Sequence, residues 1–170
     1  MAAVTSCLGS TPDKNGHCPA HSNGLIAGWD VSKVDSFESL FYSQRKFHQD
    51  LSKWNTGSVT NMKKTFQLAE SFNWDISKWD VSKVNIMELM FAGAKTFNQD
   101  LSKWQVSRVT NMNHMFDGAT AFAKTLCSTV WTTLKQNRVK LGGFTDVFKS
   151  SQGSICGARR IFIHSLEKLC

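Results

Sequence analysis

Trp29, Trp54, Trp79 and Trp104 stand at intervals of 25 residues. Val34, Val59, Val84 and Val109 keep the same interval, as do Phe41, Phe66, Phe91 and Phe116. So do Phe47, Phe72, Phe97 and Phe122, the mixed series Phe37, Met62, Met87, Met112, and the series Leu51, Ile76, Leu101, Leu126. Coincidence does not produce six such series without one insertion. The chain is an array, and this excludes most folds built on one irregular core. A unit this short cannot bury its own apolar face. It has to stack on its neighbours, so that equivalent side chains lie above one another.

Within a unit the pattern changes halfway. The stretch Phe97 to Trp104 places polar residues between apolar anchors and reads as extended. The stretch Val109 to Phe116 has Val109, Met112, Met115 and Phe116 at helical spacing, with Thr110 or Asn111 available as a cap. Asp117-Gly118-Ala119 then turns the chain. Each coil is therefore expected to hold a short strand, a turn, a short helical or 3-10 segment and a return turn. At a rise of about 5 Å per coil, four coils make a solenoid about 20 Å long. The aromatic ladders recur in every unit, which assigns them to the core rather than to a cofactor site.

Polar residues recur as well: Asp50, Asp75, Asp100; Ser52, Ser77, Ser102; Lys53, Lys78, Lys103. Stacked like charges repel, so the aspartates need amide donors from the turns. The lysine stems are expected to cover tryptophan rings while the ammonium groups reach water. Lys53, Lys78 and Lys103 form either an ordinary solvated face or an electropositive strip for an anionic partner.

The phrase Phe97-Asn-Gln-Asp-Leu-Ser-Lys-Trp104, continuing through Val109-Thr-Asn-Met112 to Met115-Phe116 and Gly118-Ala119, resembles the BspA-like surface-protein repeat. The likeness is strong over 29–128 and weaker through Thr125-Leu126-Cys127 and Gly153-Ser154-Ile155-Cys156. It implies an α/β, leucine-rich-repeat-like, right-handed coil with short parallel strands. It also implies a secreted or surface-displayed protein used in adhesion or protein interaction, with no catalytic residues to carry over. The second unit departs from the pattern at Lys63-Lys64-Thr65, and Trp74 stands where the neighbouring units have Gln49 and Gln99.

The ends of such an array expose an apolar face and need caps. Residues 1–28 hold Cys7 and Cys18 among Gly, Pro, Ser and Asn, and read as a loop-rich N-terminal cap closed by a Cys7–Cys18 disulfide. The four repeats span 29–128. The period is lost after Cys127, with Trp131 two residues late, so 129–170 is expected to be an irregular C-terminal cap flanked by a Cys127–Cys156 disulfide. Cys170 is left over, for an intermolecular pair or as a free thiol. Cysteines confined to caps fit an oxidising compartment, outside the cell or in an organelle lumen. A zinc site from Cys7, His17, Cys18 and His21 would consume both cap cysteines and lacks a zinc-finger spacing, so no metal or other cofactor is expected. In the tail, Ile161, Phe162, Leu166 and Leu169 share a helical face beside Arg159 and Arg160. Such a tail either covers the last coil or docks on a partner or a membrane surface.

The net charge of +7 is uneven. Residues 29–128 hold 12 basic and 10 acidic side chains, and 129–170 hold seven and two. That distribution argues against a basic nucleic-acid-binding face. No apolar run is long enough to span a membrane. No basic start or apolar stretch follows Met1, so no signal peptide is expected in this chain. Glycine-rich phosphate loops, Gly-x-Ser-x-Gly, His-Glu-x-x-His and Cys-x-x-Cys are all missing. Catalysis needs one unmatched constellation, whereas a repeat duplicates its residues. The expectation is a non-enzymatic interaction or adhesion module for a protein or an anionic glycan, using the lysine strip. The other reading is a structural or accessory subunit of a larger assembly, docked through the tail and the lateral face.

Overall fold

The indole N–H groups of Trp54, Trp79 and Trp104 are each tied to a backbone carbonyl one unit away. Trp54 Nε1 donates to Ile26 O at 2.9 Å, Trp79 Nε1 to Leu51 O at 3.0 Å and Trp104 Nε1 to Ile76 O at 3.1 Å, each across 28 residues. A buried indole needs such an acceptor, and the repeat supplies it at a constant offset. These contacts come from a computed structural model that describes residues 26–157. The Cys7–Cys18 pairing, Arg159, Arg160 and Cys170 lie outside the described residues.

The apolar series face one another across units. The rings of Phe41, Phe66, Phe91 and Phe116 are nearly parallel, with centroids 5.2, 5.6 and 5.4 Å apart. Phe72, Phe97 and Phe122 form a second column at 6.0 and 6.1 Å. The two columns touch within each unit, as at Phe91 and Phe97, 4.1 Å between centroids. Met62, Met87 and Met112 and the rung Leu51, Ile76, Leu101, Leu126 are fully buried. Burying one such side chain contributes about 1.5–3 kcal/mol.

The backbone departs from the expected short strands and helices. Units are joined by single-residue parallel bridges, Ser36 to Asn61, Asn61 to Ile86 and Ile86 to Asn111. From each bridge, alternate amides point along the stack: Met87 N donates to Asn111 O at 2.8 Å, Leu89 N to Asn113 O at 3.0 Å and Phe91 N to Met115 O at 2.8 Å. The segment 109–116 is not helical. Its amides bond the next unit, and residues with φ near +60° recur at Lys64, Leu89 and His114, and again at Leu68, Gly93 and Gly118. Between them the chain closes tight turns, as from Met115 N to Met112 O and from Ala119 N to Phe116 O, both 3.1 Å. Consecutive turns bring every third or fourth residue inward, the spacing that a helix also produces.

A second departure follows Cys127. The array does not end there. Trp131 is buried, and its Nε1 donates to Leu101 O at 3.0 Å across 30 residues, so the ladder continues two positions late. Helix α1, Thr129–Leu141, then lengthens the coil. After it the turn pattern resumes: His114 N donates to Thr145 O at 2.8 Å and Gly118 N to Lys149 O at 2.8 Å. Phe148 stacks on Phe116 at 5.4 Å, and Asp146 and Ser150 take up the positive φ of the earlier rungs. Strand β1, Thr125–Leu126, pairs in parallel with β2, Ser154–Ile155. Just beyond them Cys127 and Cys156 are joined as a disulfide, with Cα atoms 4.8 Å apart. Among the described residues no helix is long and apolar enough to cross a membrane.

Candidate functional site

The outward-facing polar rungs are built by one recurring turn. Asp50 Oδ1 accepts from Ser52 N at 2.8 Å, Asp75 Oδ1 from Ser77 N at 2.8 Å and Asp100 Oδ1 from Ser102 N at 2.9 Å. The following amide closes the turn, as from Trp79 N to Ile76 O at 3.0 Å. This geometry sends the leucine or isoleucine and the tryptophan inward and leaves the intervening lysine exposed. The same Asp-x-Ser turn occurs at Asp30–Ser32 and Asp80–Ser82.

Lys53, Lys78 and Lys103 therefore stand one per unit on one side of the stack. None of the three makes an ion pair among the described residues, whereas Lys63 pairs with Glu88 at 3.1 Å and Lys95 with Glu70 at 3.1 Å. Arg45 also pairs with Glu70, on the other side. The lysine strip is not purely cationic, because Asp50, Asp75 and Asp100 run beside it. The amide and hydroxyl of Ser77 hold the Asp75 carboxyl below the usual range, and those of Ser102 do the same for Asp100. A hydrogen bond to the charged form favours ionisation.

Two shallow depressions open on this side. One of about 360 Å³ is lined by Asp50, Ser52, Lys53, Trp74, Asp75 and Lys78. The next, of about 180 Å³, is lined by Asp75, Ser77, Gln99, Asp100 and Lys103. They share Asp75, so they follow one another along the stack. Trp74 is 37% exposed, while Trp54, Trp79 and Trp104 are buried. Its ring lies 5.5 Å from that of His48. In the following unit the equivalent Gln99 turns its Nε2 to Asn73 O and Asn73 Oδ1, at 2.8 and 3.0 Å. Among binding residues the sequence points to the lysines and not to Trp74, whose signal is the break in the Gln49, Gln99 rung. A third depression, about 390 Å³, lies beside α1 at Ser107, Thr129, Val130, Thr133, Leu134 and Asn137.

Of the remaining sequence candidates, Trp29 packs half-buried against the core, and Trp54, Trp79 and Trp104 are structural ladder residues. A family model described as Mycoplasma protein of unknown function, DUF285, matches residues 16–131. No curated protein and no solved structure matches the chain.

Proposed function

The chain belongs to the family described as Mycoplasma protein of unknown function, DUF285, and on that premise we propose that it is a non-enzymatic interaction or adhesion module displayed outside the cell. Its architecture in this reading is an α/β, leucine-rich-repeat-like solenoid whose lateral face is the binding surface. The observation that carries the reading is the exposed row Lys53, Lys78, Lys103, set by identical turns and left without ion-pair partners among the described residues. The Cys127–Cys156 disulfide supports an oxidising location. The partner is a protein or a glycan. The alternation of ammonium and carboxylate favours a ligand that offers both acceptors and donors over a simple polyanion.

The test compares the wild-type chain with K53S/K78S/K103S on immobilised extracellular proteins and sulfated glycans. The triple variant is expected to keep its fold and lose binding. Unchanged affinity overturns this choice of face.

A further inference from the structure

Among the described residues the aromatic side chains are mostly core material, and Tyr42 and Trp74 are the large exposed ones; of the two, Trp74 lines a depression. Its indole is 37% exposed and lies in a depression whose other lining residues are Asp50, Ser52, Lys53, Asp75 and Lys78. One flat apolar surface ringed by carboxylates, ammonium groups and a hydroxyl is the complement of a sugar. A pyranose ring has an apolar C–H face that stacks on an indole, and hydroxyls at its edge that donate to carboxylates and accept from ammonium groups. A peptide anchor would instead need apolar neighbours around the ring to exclude water, and this depression has none.

The charges narrow the class of sugar. Two carboxylates and two ammonium groups line the depression, so their formal charges cancel. Asp75 stays ionised because the amide and hydroxyl of Ser77 hold its carboxyl low. A polyanion would meet as much repulsion as attraction here. The depression also continues past Asp75 to Ser77, Gln99, Asp100 and Lys103. Successive units are 5.9–6.1 Å apart at the column of Phe47, Phe72, Phe97 and Phe122, the one nearer to Trp74 in sequence, comparable to the length of one hexose residue in an extended glycan. At about 360 Å³ the first depression lies at the small end of ligand sites, which run about 300–1,000 Å³.

We propose that Trp74 is the stacking platform of a subsite for a neutral hexose oligosaccharide, which runs along the stack from Lys53 past Asp75 toward Lys103. The inference rests on the lateral face being the binding surface, and it adds the ligand class and the residue that selects it. The natural control is Trp74→Gln, because Gln49 and Gln99 occupy the same rung in the adjoining units, so the substitution restores the repeat without asking the fold for anything new.

The experiment titrates the full chain with cellohexaose, laminarihexaose and mannohexaose, and separately with a heparin hexasaccharide, by calorimetry and tryptophan fluorescence. At least one neutral hexasaccharide is expected to bind, with W74Q weakening it about tenfold or more and unchanged circular dichroism. Failure of all three neutral sugars overturns the subsite, as does equal binding by W74Q. Heparin binding that K53S/K78S/K103S abolishes and W74Q leaves alone also overturns it, while keeping the lateral face. Neutral-sugar binding lost in W74Q supports the subsite, whatever heparin does.

Discussion

Trp104 Nε1 donates to Ile76 O across 3.1 Å, and Ile76 is itself fully buried one unit earlier. The bond ties a side chain of one coil to the backbone of the coil before it, inside the core. Replacing Trp104 by Phe keeps most of the apolar area and removes one of the two hydrogen bonds that Ile76 O accepts, the other coming from Trp79 N at 3.0 Å. The lost bond and the smaller ring are together expected to cost about 1–2 kcal/mol. Thermal melting should show it as a midpoint lower by about 2–8 °C, whereas Lys103→Ser should stay within about 0.5 kcal/mol of wild type.

The phenylalanine column makes a positional prediction. Phe91 has a stacked ring on each side, Phe66 at 5.6 Å and Phe116 at 5.4 Å. Phe148 stacks on Phe116 at the far end and is only partly buried. Phe91→Ala should cost about 3–5 kcal/mol, and Phe148→Ala clearly less. Urea unfolding of both variants measures the difference, and equal losses would contradict the stacked geometry.

Gly93 sits at φ +68°, and a Cβ there would approach Leu68 Cδ2 to 2.7 Å. A left-handed backbone alone costs a side chain about 1–2 kcal/mol. Gly93→Ala is therefore expected to lower the urea midpoint, while Gly93→Ala combined with Leu68→Ala recovers the part due to the clash. A Gly93→Ala chain as stable as wild type would place this turn elsewhere in the backbone map.

Asp75 and Asp100 titrate below their ordinary value of 3.8 in the folded chain, chiefly because Ser77 and Ser102 donate to them. The unfolded chain therefore takes up these protons first on acidification. The stabilisation is complete above pH 3.8 and is lost as the pH falls through the lower folded values. Urea midpoints measured from neutral pH downward should be flat and then drop in that acid window. The double variant D75N/D100N keeps the turn acceptor and should make the drop shallower, while Asp80, held low by Ser82 in the same way, keeps part of it.

The Cys127–Cys156 bridge closes a loop that contains all of α1. Replacing both cysteines by serine is expected to cost about 2–4 kcal/mol. Its signature is a melting midpoint lower than that of the unmutated, oxidised chain.

The stacking of units was legible in the sequence because every unit repeats the same side chains at the same offset. Trp54, Trp79 and Trp104, the two phenylalanine columns and the Asp-x-Ser turns all sit at equivalent places in successive coils. Local conformation was less legible. The spacing of Val109, Met112, Met115 and Phe116 fits a helix and a run of tight turns equally well, because both return every third or fourth residue to one side. Which of the two forms depends on where the amides find partners, and here they find them in the next coil at Gly143, Thr145 and Val147.

The coil after Cys127 was hidden for a different reason. Two extra residues before Trp131 and the length of α1 break the count, although Trp131 and Phe148 still reach the positions that Trp104 and Phe116 define. By itself the sequence determined the period, the core series and the direction in which units must stack, since apolar burial at a fixed interval admits little else. Only the tertiary structure decided that single bridges stand in place of strands from Ser36 to Asn111, that the array outlasts its own period, and that the indole of Trp74 stays partly exposed. Each of these depends on contacts between residues a full unit apart, where the neighbouring coil rather than the local sequence sets the lowest free energy.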